Sequence, residues 1–454
     1  MYFGPSISVG RRGVSYGDSD AQAFIAATGL TGTTEVNAVN NLVANLKSYG
    51  LWSKMKAIYP FVSDTNNLLS YTTDYSNAYW TKTGVTLTQN VGTAPDGTNT
   101  ANKITETAVS SGHWLKTAST LTVGLTYTIS GYFKAAERQY AVLIDDDAGV
   151  HTAYFNLSTG TLVSQSGYTS TSITSVGNGW YRCSATRNAA TVVSNYYWAT
   201  SSNGSTYSYL GDGTSGIYTW GFQFEQGALT TYQPIATTPA NRFVSQFKYN
   251  LKDARDLDAA FRLAFNGTWT YSKQGATPNG VNGYANTYLN AQNILTANNI
   301  HLSFYSRTDV SEAGVNIGVN NSSINSYNPE YSIRMRRVDG KMSSVMGSYN
   351  NQFTEASVVN SLGFGNTVRT SNNSTKLYKN GVVLNTNTTV DSLSNTLPNY
   401  NFFIAATNFG GSASSYSTRQ TSFSTIGDGL TDTEATNLYT SVQAFQTALN
   451  RQIP

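Results

Sequence analysis

KLYKNGVVL, residues 376–384, decides how the rest of the chain is read. Lys379-Asn380-Gly381-Val382 lies at its centre, and Asn-Gly supplies the positive φ that a type I′ turn demands, so the segment reads as a β-hairpin. A second hairpin signal, Asp339-Gly340, separates YSIRMRRV (331–338) from KMSSVM (341–346). In the first of those runs Tyr331, Ile333 and Met335 alternate with Ser332, Arg334 and Arg336. A period of two predicts a strand with one buried and one wet face.

Outward from these hairpins the same texture of short strand-like runs fills residues 247–425. It also fills residues 64–238, where YTISGYF (127–133), YAVLI (140–144) and YTWGFQF (218–224) have strand length and β-forming composition. Asp96-Gly97, Asn178-Gly179 and Gly211-Asp212-Gly213 punctuate that region, and turn signals at this density argue for a β-sandwich.

Helices are expected only towards the ends. Between Gly32 and Gly50, Val36, Val39, Leu42, Val43 and Leu46 recur at steps of three and four, which predicts a helix of about four turns. LWSKMKAIYPFV (51–62) follows, with Trp52, Met55, Ile58 and Phe61 as docking residues and Pro60 as a helix stop. Near the other end, Thr431-Asp432-Thr433-Glu434 fits a capping box. Leu438, Val442, Phe445 and Leu449 then line one helical face, which is expected to pack on the second sandwich.

Composition agrees with an all-β reading and removes several function classes. The 454 residues allow about three domains. A single cysteine, Cys183, excludes an intrachain disulfide framework and a multi-cysteine zinc site. Charged residues make up 12% of the chain, about half the ordinary share, and the net charge is +3, which argues against nucleic acid as a partner. Aromatic residues reach 13%, with 31 Tyr and 7 Trp, and there are 39 Gly, a mixture that suits pleated strands joined by tight turns. Neither a secretory h-region nor a long apolar run occurs. The expectation is a chain that no standard signal exports and that does not insert in a membrane.

Three long segments resemble successive parts of one pattern found in structural proteins of tailed bacteriophages: AFIAATGLTGTTEVNAVNNLVANLKSYGLWSKMKAIYPFV (23–62), YNLKDARDLDAAFRLAFNGTWTYSKQGATPNGVNGYANTYLN (249–290) and SFSTIGDGLTDTEATNLYTSVQAFQTALNRQI (422–453). The β portion resembles the concanavalin A-like (laminin G-like) jelly roll, with LSFYSR (302–307), KLYKNGVVL and FFIAATNFGG (402–411) where its strands are expected. In that pattern the AIYP block runs almost directly into the NLKD block, whereas a long stretch separates them here, which implies an inserted domain. The insert resembles the carbohydrate-binding-module-like sandwiches of phage proteins through NLLSYTTDYSNAYW (67–80), YTISGYFKAAERQYAVLIDD (127–146), GNGWYRCSAT (177–186) and IYTWGFQFEQGALTTYQP (217–234).

The resulting expectation is a mainly β chain of two β-sandwich (jelly-roll) domains with an N-terminal and a C-terminal helix. Residues 1–63 form an arm and helix that pack with the C-terminal domain, 64–240 the inserted sandwich, and 241–454 the jelly roll with its helix. Gly4, Gly10, Gly13 and Arg11-Arg12 fit a short attachment arm or a plain ordered loop. The resemblance implies a virion location after assembly in the bacterial cytoplasm. Expected partners are other tail or capsid proteins, further copies of the chain and a host cell-surface glycan.

His113, His151 and His301 are far apart and none has a second His at metal-ligand spacing, so each reads as a surface or strand histidine. No G-x-S-x-G elbow, P-loop or dinucleotide fingerprint occurs. Asp145-Asp146-Asp147 reads as a solvated turn, and Asp253, Arg255, Asp256 and Asp258 as local ion pairs. Some modules of the resembled fold hold a calcium through an Asp in the last strand, but Tyr218-Thr219-Trp220-Gly221-Phe222 lacks one and Glu225 comes later, so no metal or other cofactor is expected.

Sugar binding needs exposed aromatic faces flanked by neutral hydrogen-bonding side chains. Trp80, Trp114, Tyr132 and Tyr154 are the candidate platforms, with Trp180 and Trp220 expected in the core. Arg334, Arg336 and Arg337 form a basic cluster that suits either an anionic ligand or a charged outer strand face. The expected function is non-enzymatic: a surface-displayed tail fibre or baseplate appendage that binds host glycans. A capsid decoration protein is the alternative.

Overall fold

Asn380 (φ 48°) and Gly381 (φ 79°) both take positive φ and join the strands Ser374–Lys379 and Val382–Asn387, as the type I′ reading requires. The computed structural model describes residues 17–321, 329–392 and 396–453, so the N-terminal glycines and Arg11-Arg12 lie outside the described residues. The chain is mainly β and divides into two compact units. One is discontinuous, built from residues up to Asp64 and from Phe243 onwards; the other is continuous, Thr65–Arg242.

In the discontinuous unit an eight-stranded and a nine-stranded sheet share a core that includes Phe304, Ile317, Tyr331, Ile333, Met335, Phe402 and Ile426. The other face of the eight-stranded sheet is covered too. Along Ile300–Ser306, Leu302 and Phe304 join the inter-sheet core, while Tyr305 joins Phe364, Val368, Tyr378 and Phe423 beneath the helices Thr33–Ser48 and Asp432–Ala448. These helices supply Val39, Leu42, Val43 and Leu46 from one side, and Leu438, Val442 and Phe445 from the other.

The C-terminal helix starts with the full capping box: Thr431 Oγ1 accepts from Glu434 N and Glu434 Oε2 accepts from Thr431 N. At the N-terminal side there are two helices rather than one, Ser19–Thr28 preceding Thr33–Ser48, separated at Gly29 in the left-handed conformation.

The segment around Pro60 shows how the interrupted unit closes. Met55–Tyr59 is a strand that pairs antiparallel with Thr421–Gly427, Tyr59 opposite Ser424. On its other side the returning chain docks directly. Ile58 N donates to Asn250 Oδ1 (2.8 Å), and Leu251 N donates to Ile58 O (2.8 Å). Arg451, fully buried, donates to Phe61 O (2.7 Å), Pro60 O (2.6 Å) and Ser422 O (2.9 Å), and burial lowers its pKa to about 9.

Two expectations need correction. The strand before Asp339-Gly340 ends at Arg334, because Arg337 N bonds Lys341 O (2.7 Å) and Gly340 N bonds Arg337 O (2.9 Å), turning the chain early. Its second face is not wet throughout, since Ser332 is buried against the Glu330 carboxylate.

In the continuous unit two six-stranded antiparallel sheets enclose Trp80, Leu115, Phe133, Leu143, Phe155, Trp198, Phe222 and Phe224. The rings of Trp198 and Phe222 stack at 4.7 Å at its centre. Cys183 is buried in this core, and burial pushes its thiol pKa up. No described helix in either unit is long and apolar enough to cross a membrane.

Candidate functional site

The strand Gly216–Gln226 carries an irregularity that creates a surface site. Ile217 points into the core, and so do Phe222 and Phe224, but the pairing with Thr126–Ala135 shifts register between Trp220 and Gln223. Gly221 takes φ 60° inside this bulge. The shift turns Trp220 out of the core and against Tyr232 (ring centroids 4.7 Å apart) and Tyr132 (5.2 Å). A larger side chain at 221 would have to push the Tyr132 ring aside, because a Cβ there would lie 2.9 Å from it.

Hydrogen bonds hold each wall of this aromatic cluster. Trp220 Nε1 donates to Thr100 Oγ1 (3.0 Å) and Tyr232 OH to Thr72 Oγ1 (3.1 Å). Facing them, the Asp96-Gly97 turn places Asp96 Oδ1 to accept from Thr98 N (3.0 Å) and Thr98 Oγ1 (2.7 Å), while Thr98 and Thr100 hydroxyls lie 2.6 Å apart. The cleft so formed has a volume of about 350 Å³, and its lining includes Trp220, Tyr232, Thr72, Thr98, Thr100, Asn102 and Asp96. That volume is ordinary for a small-molecule site. Chemically it offers ring faces of negative quadrupole, which attract polarised C–H groups, beside hydroxyl and amide groups able to exchange hydrogen bonds with a ligand's hydroxyls.

The four proposed platforms separate into three places. Trp80 is 2% exposed inside the core, its Nε1 donating to Tyr71 O (3.0 Å), so its face is inaccessible. Trp114 and Tyr154 lie on the outer face of the other six-stranded sheet with Tyr197 and Tyr207; Trp114 packs 5.0 Å from Tyr197, and Trp114 Nε1 is buried without a partner. Tyr132, 9% exposed, is the support beneath Trp220 rather than a platform itself, with the Arg182 guanidinium 5.2 Å over its ring. Trp180 is buried as expected, but Trp220, expected in the core, lines the cleft.

The three clustered arginines and the Asp253–Asp258 stretch are engaged in ion pairs. Arg334 pairs with Glu330 (3.2 Å), Arg336 with Asp309 (3.5 Å), and Arg337 with Glu355 (3.1 Å) and Asp339 (3.3 Å), so the three arginines sit beside carboxylates rather than forming a bare basic patch. Asp253 pairs with Arg255, and Asp256 and Asp258 with Arg262.

Asp145-Asp146-Asp147 is not a solvated turn, since Asp145 and Asp147 are buried. Asp145 pairs with His151 and Arg187 (2.9 Å each), Asp146 accepts from Asn195 N (2.8 Å) and Tyr197 OH (2.9 Å), and Asp147 accepts from Ala190 N (2.7 Å) and Thr191 N (2.6 Å). Burial opposes ionisation of Asp147, yet these donors and Arg187 hold its pKa below the usual carboxylate value.

His151 and His301 lie on the strands His151–Asn156 and Ile300–Ser306, as a strand reading expects; His113 and His301 are buried in hydrogen bonds to backbone and threonine groups, so neither is a surface histidine. Glu225 is buried with its oxygens taken by Thr230 N (3.0 Å), Thr230 Oγ1 (2.6 Å) and Gln223 Nε2 (2.7 Å). Among the described residues no group of three His, Cys, Asp or Glu is placed to hold a metal.

No family model matches the sequence, and no curated protein matches it. Among solved structures, the chain is similar to the CBM22-1–GH10 modules of a Clostridium thermocellum endo-1,4-β-D-xylanase complexed with xylohexaose (14% identity, 37% of this chain, 30% of that one, TM-score 0.23). It is also similar to the enzymatically active domain of bacteriophage CBA120 tailspike protein 4 (15% identity, 36% of this chain, 21% of that one, TM-score 0.23). A third is domain 4 of a Geobacillus stearothermophilus extracellular arabinanase in complex with arabinotriose (17% identity, 38% of this chain, 81% of that one, TM-score 0.28). The chain thus spans under a third of the length of the first two.

Proposed function

We propose that this chain is a non-enzymatic glycan-binding protein displayed on a tailed-bacteriophage virion, a tail fibre or baseplate appendage that attaches to host-surface polysaccharide. The observation that carries the binding half is the Trp220–Tyr232 cleft, an aromatic wall facing a string of threonine hydroxyls. Its hydroxyl-rich lining, with Asp96 as its one charged group, suits a sugar ring better than an anion or an apolar ligand. The virion half rests on the resemblance of residues 23–62, 249–290 and 422–453 to phage structural proteins.

The carboxylates support a binding rather than a cleaving role. Glycoside cleavage by the common mechanisms needs a flanking pair, and Asp96 is the one carboxylate among the described lining residues, already engaged by Thr98. The test is binding of the full chain to purified bacterial surface polysaccharides, with reducing-end release followed in the same samples. Saturable binding without release, weakened about tenfold or more by Trp220→Ala, is expected. Binding untouched by Trp220→Ala overturns the site, and release of reducing ends overturns the non-enzymatic reading.

A further inference from the structure

The wall of the continuous unit's cleft that carries Asp96, Thr98 and Thr100 is a loop, residues 93–100, joining the strands Val85–Gly92 and Ala101–Glu106 at one edge of a six-stranded sheet. The loop lies back across the sheet. Its first residue, Thr93, accepts through its carbonyl from Trp180 Nε1 (3.1 Å), and Trp180 opens the strand Trp180–Asn188, which two further strands separate from Ala101–Glu106. Its last residue, Thr100, accepts from Trp220 Nε1 (3.0 Å). Two indole N–H groups thus clamp the loop at its ends. Between them Ala94 is 3% exposed and packs beside Tyr132 and Trp180, while Ala94 N donates to Thr98 O (2.8 Å) and Gly97 N to Ala94 O (3.0 Å), closing a tight turn that fixes where Asp96 stands.

The charge at that position is uncompensated. Thr98 N and Thr98 Oγ1 both donate to Asp96 Oδ1, whereas Oδ2 is left open, and among the described residues the Asp96 carboxylate has no ion-pair partner and no Lys, Arg or His lines the cleft. Arg182, over the Tyr132 ring at 5.2 Å, lies outside the lining. The carboxylate acts on the aromatic wall: burial raises the Tyr232 phenol pKa, and the charge of Asp96 raises it further. The ring faces of Trp220 and Tyr232 add a negative quadrupole that attracts cations. An ammonium group in this cleft gains from carboxylate and rings together, a neutral sugar gains hydrogen bonds and ring contact alone, and a carboxylate or phosphate meets a like charge.

We propose that Asp96, held by the clamped loop, is the specificity-determining residue of the Trp220 cleft and ranks sugars by charge: one bearing a protonated amine binds best, a neutral one next and an acidic one worst. The glycan that fits best carries free amino groups. This role rests on the glycan reading of the same cleft and names the class of sugar it takes.

The test is saturation-transfer NMR on the full chain, at low salt and about pH 6 so that amine and carboxylate are both ionised, with methyl glycosides of glucose and galactose that differ only in carrying an amine, a hydroxyl or a carboxylate at C6. In a series that binds, the amine is expected to bind about two- to fivefold tighter than the hydroxyl and the carboxylate to bind weaker by a similar factor. Asp96→Asn keeps an oxygen for Thr98 and removes the charge, and the three are then expected to agree within about twofold. Salt of about 0.5 M gives a second check that needs no variant, because it screens a ranking set by charge. A wild type that shows no such ranking, or a ranking that survives Asp96→Asn or salt, overturns the role of Asp96 and leaves the glycan site standing. Absence of binding by the whole panel, or binding that survives Trp220→Ala, overturns the site and this role with it.

Discussion

The eight-stranded sheet of the discontinuous unit and the two sheets of the continuous unit place their aromatic residues differently. In the former, Tyr305, Phe364, Tyr378 and Phe423 lie under two helices, so the face opposite the inter-sheet core is filled by the protein itself. In the latter, the outer faces carry Trp114, Tyr197 and Tyr207 on one sheet and Tyr132, Trp220 and Tyr232 on the other. A sheet face covered by helices gains burial and turns most of its aromatic surface away from any ligand. A sandwich without such helices keeps aromatic surface available, at the cost of exposing it. High aromatic content therefore has two meanings in one chain, and only the covering elements tell them apart.

The most severe way to break the comparison is to empty the core of the unit with open faces. Trp198→Ala removes the ring stacked on Phe222 and facing Trp80, and a loss of about 3–5 kcal/mol is expected. Calorimetry checks it, with the transition of the continuous unit lowered more than that of the discontinuous one.

Acid sharpens the contrast from the other side. His301, fully buried beside Asp428 and Thr425 in the helix-covered sheet, has its pKa pushed by burial from 6.5 down to about 4. The unfolded chain thus takes up a proton that the folded unit refuses. Stability falls as pH drops from about 6.5 to about 4 and levels off below, a loss of about 3 kcal/mol from this group. Denaturant melts of the wild type and of His301→Gln across that range check it, the variant showing the flatter profile.

The smallest expected effect is the most local. Gly221→Ala forces a side chain into φ 60° against the Tyr132 ring, costing about 1–2 kcal/mol. Because it displaces the support of Trp220, it should weaken glycan binding more than any other substitution of that cost; thermal melts and binding measured on the same protein compare the two effects.

These residues also show what could be read in advance. Asn380-Gly381 and the Thr431–Glu434 capping box are local devices, whose geometry is set by neighbours in sequence, and both formed as written. Tyr127–Phe133 lies inside the strand Thr126–Ala135 for the same reason. Trp220 could not be placed by periodicity, because it shares parity with Phe222 and Phe224 and counting back by twos puts it in the core. The bulge at Gly221 inverts that parity. A glycine inside a strand run was the available signal. Asp145–Asp147 failed differently: their partners Arg187, Ala190, Thr191 and Asn195 come from a distant stretch of chain, which no local pattern announces.

The pairing of Met55–Tyr59 with Thr421–Gly427 has a consequence in time. On the ribosome the first strand of the discontinuous unit emerges early and finds its partner only when the last strand appears, an interval of roughly 20–70 s at synthesis rates of about 5–20 residues per second. The helix Thr33–Ser48 waits as long for Asp432–Ala448. The continuous unit needs no such wait, since Thr65–Arg242 holds its whole core. Translation therefore delivers a finished sandwich while the strand before it is still single, and the sheet that frames the chain is the last part of it to close.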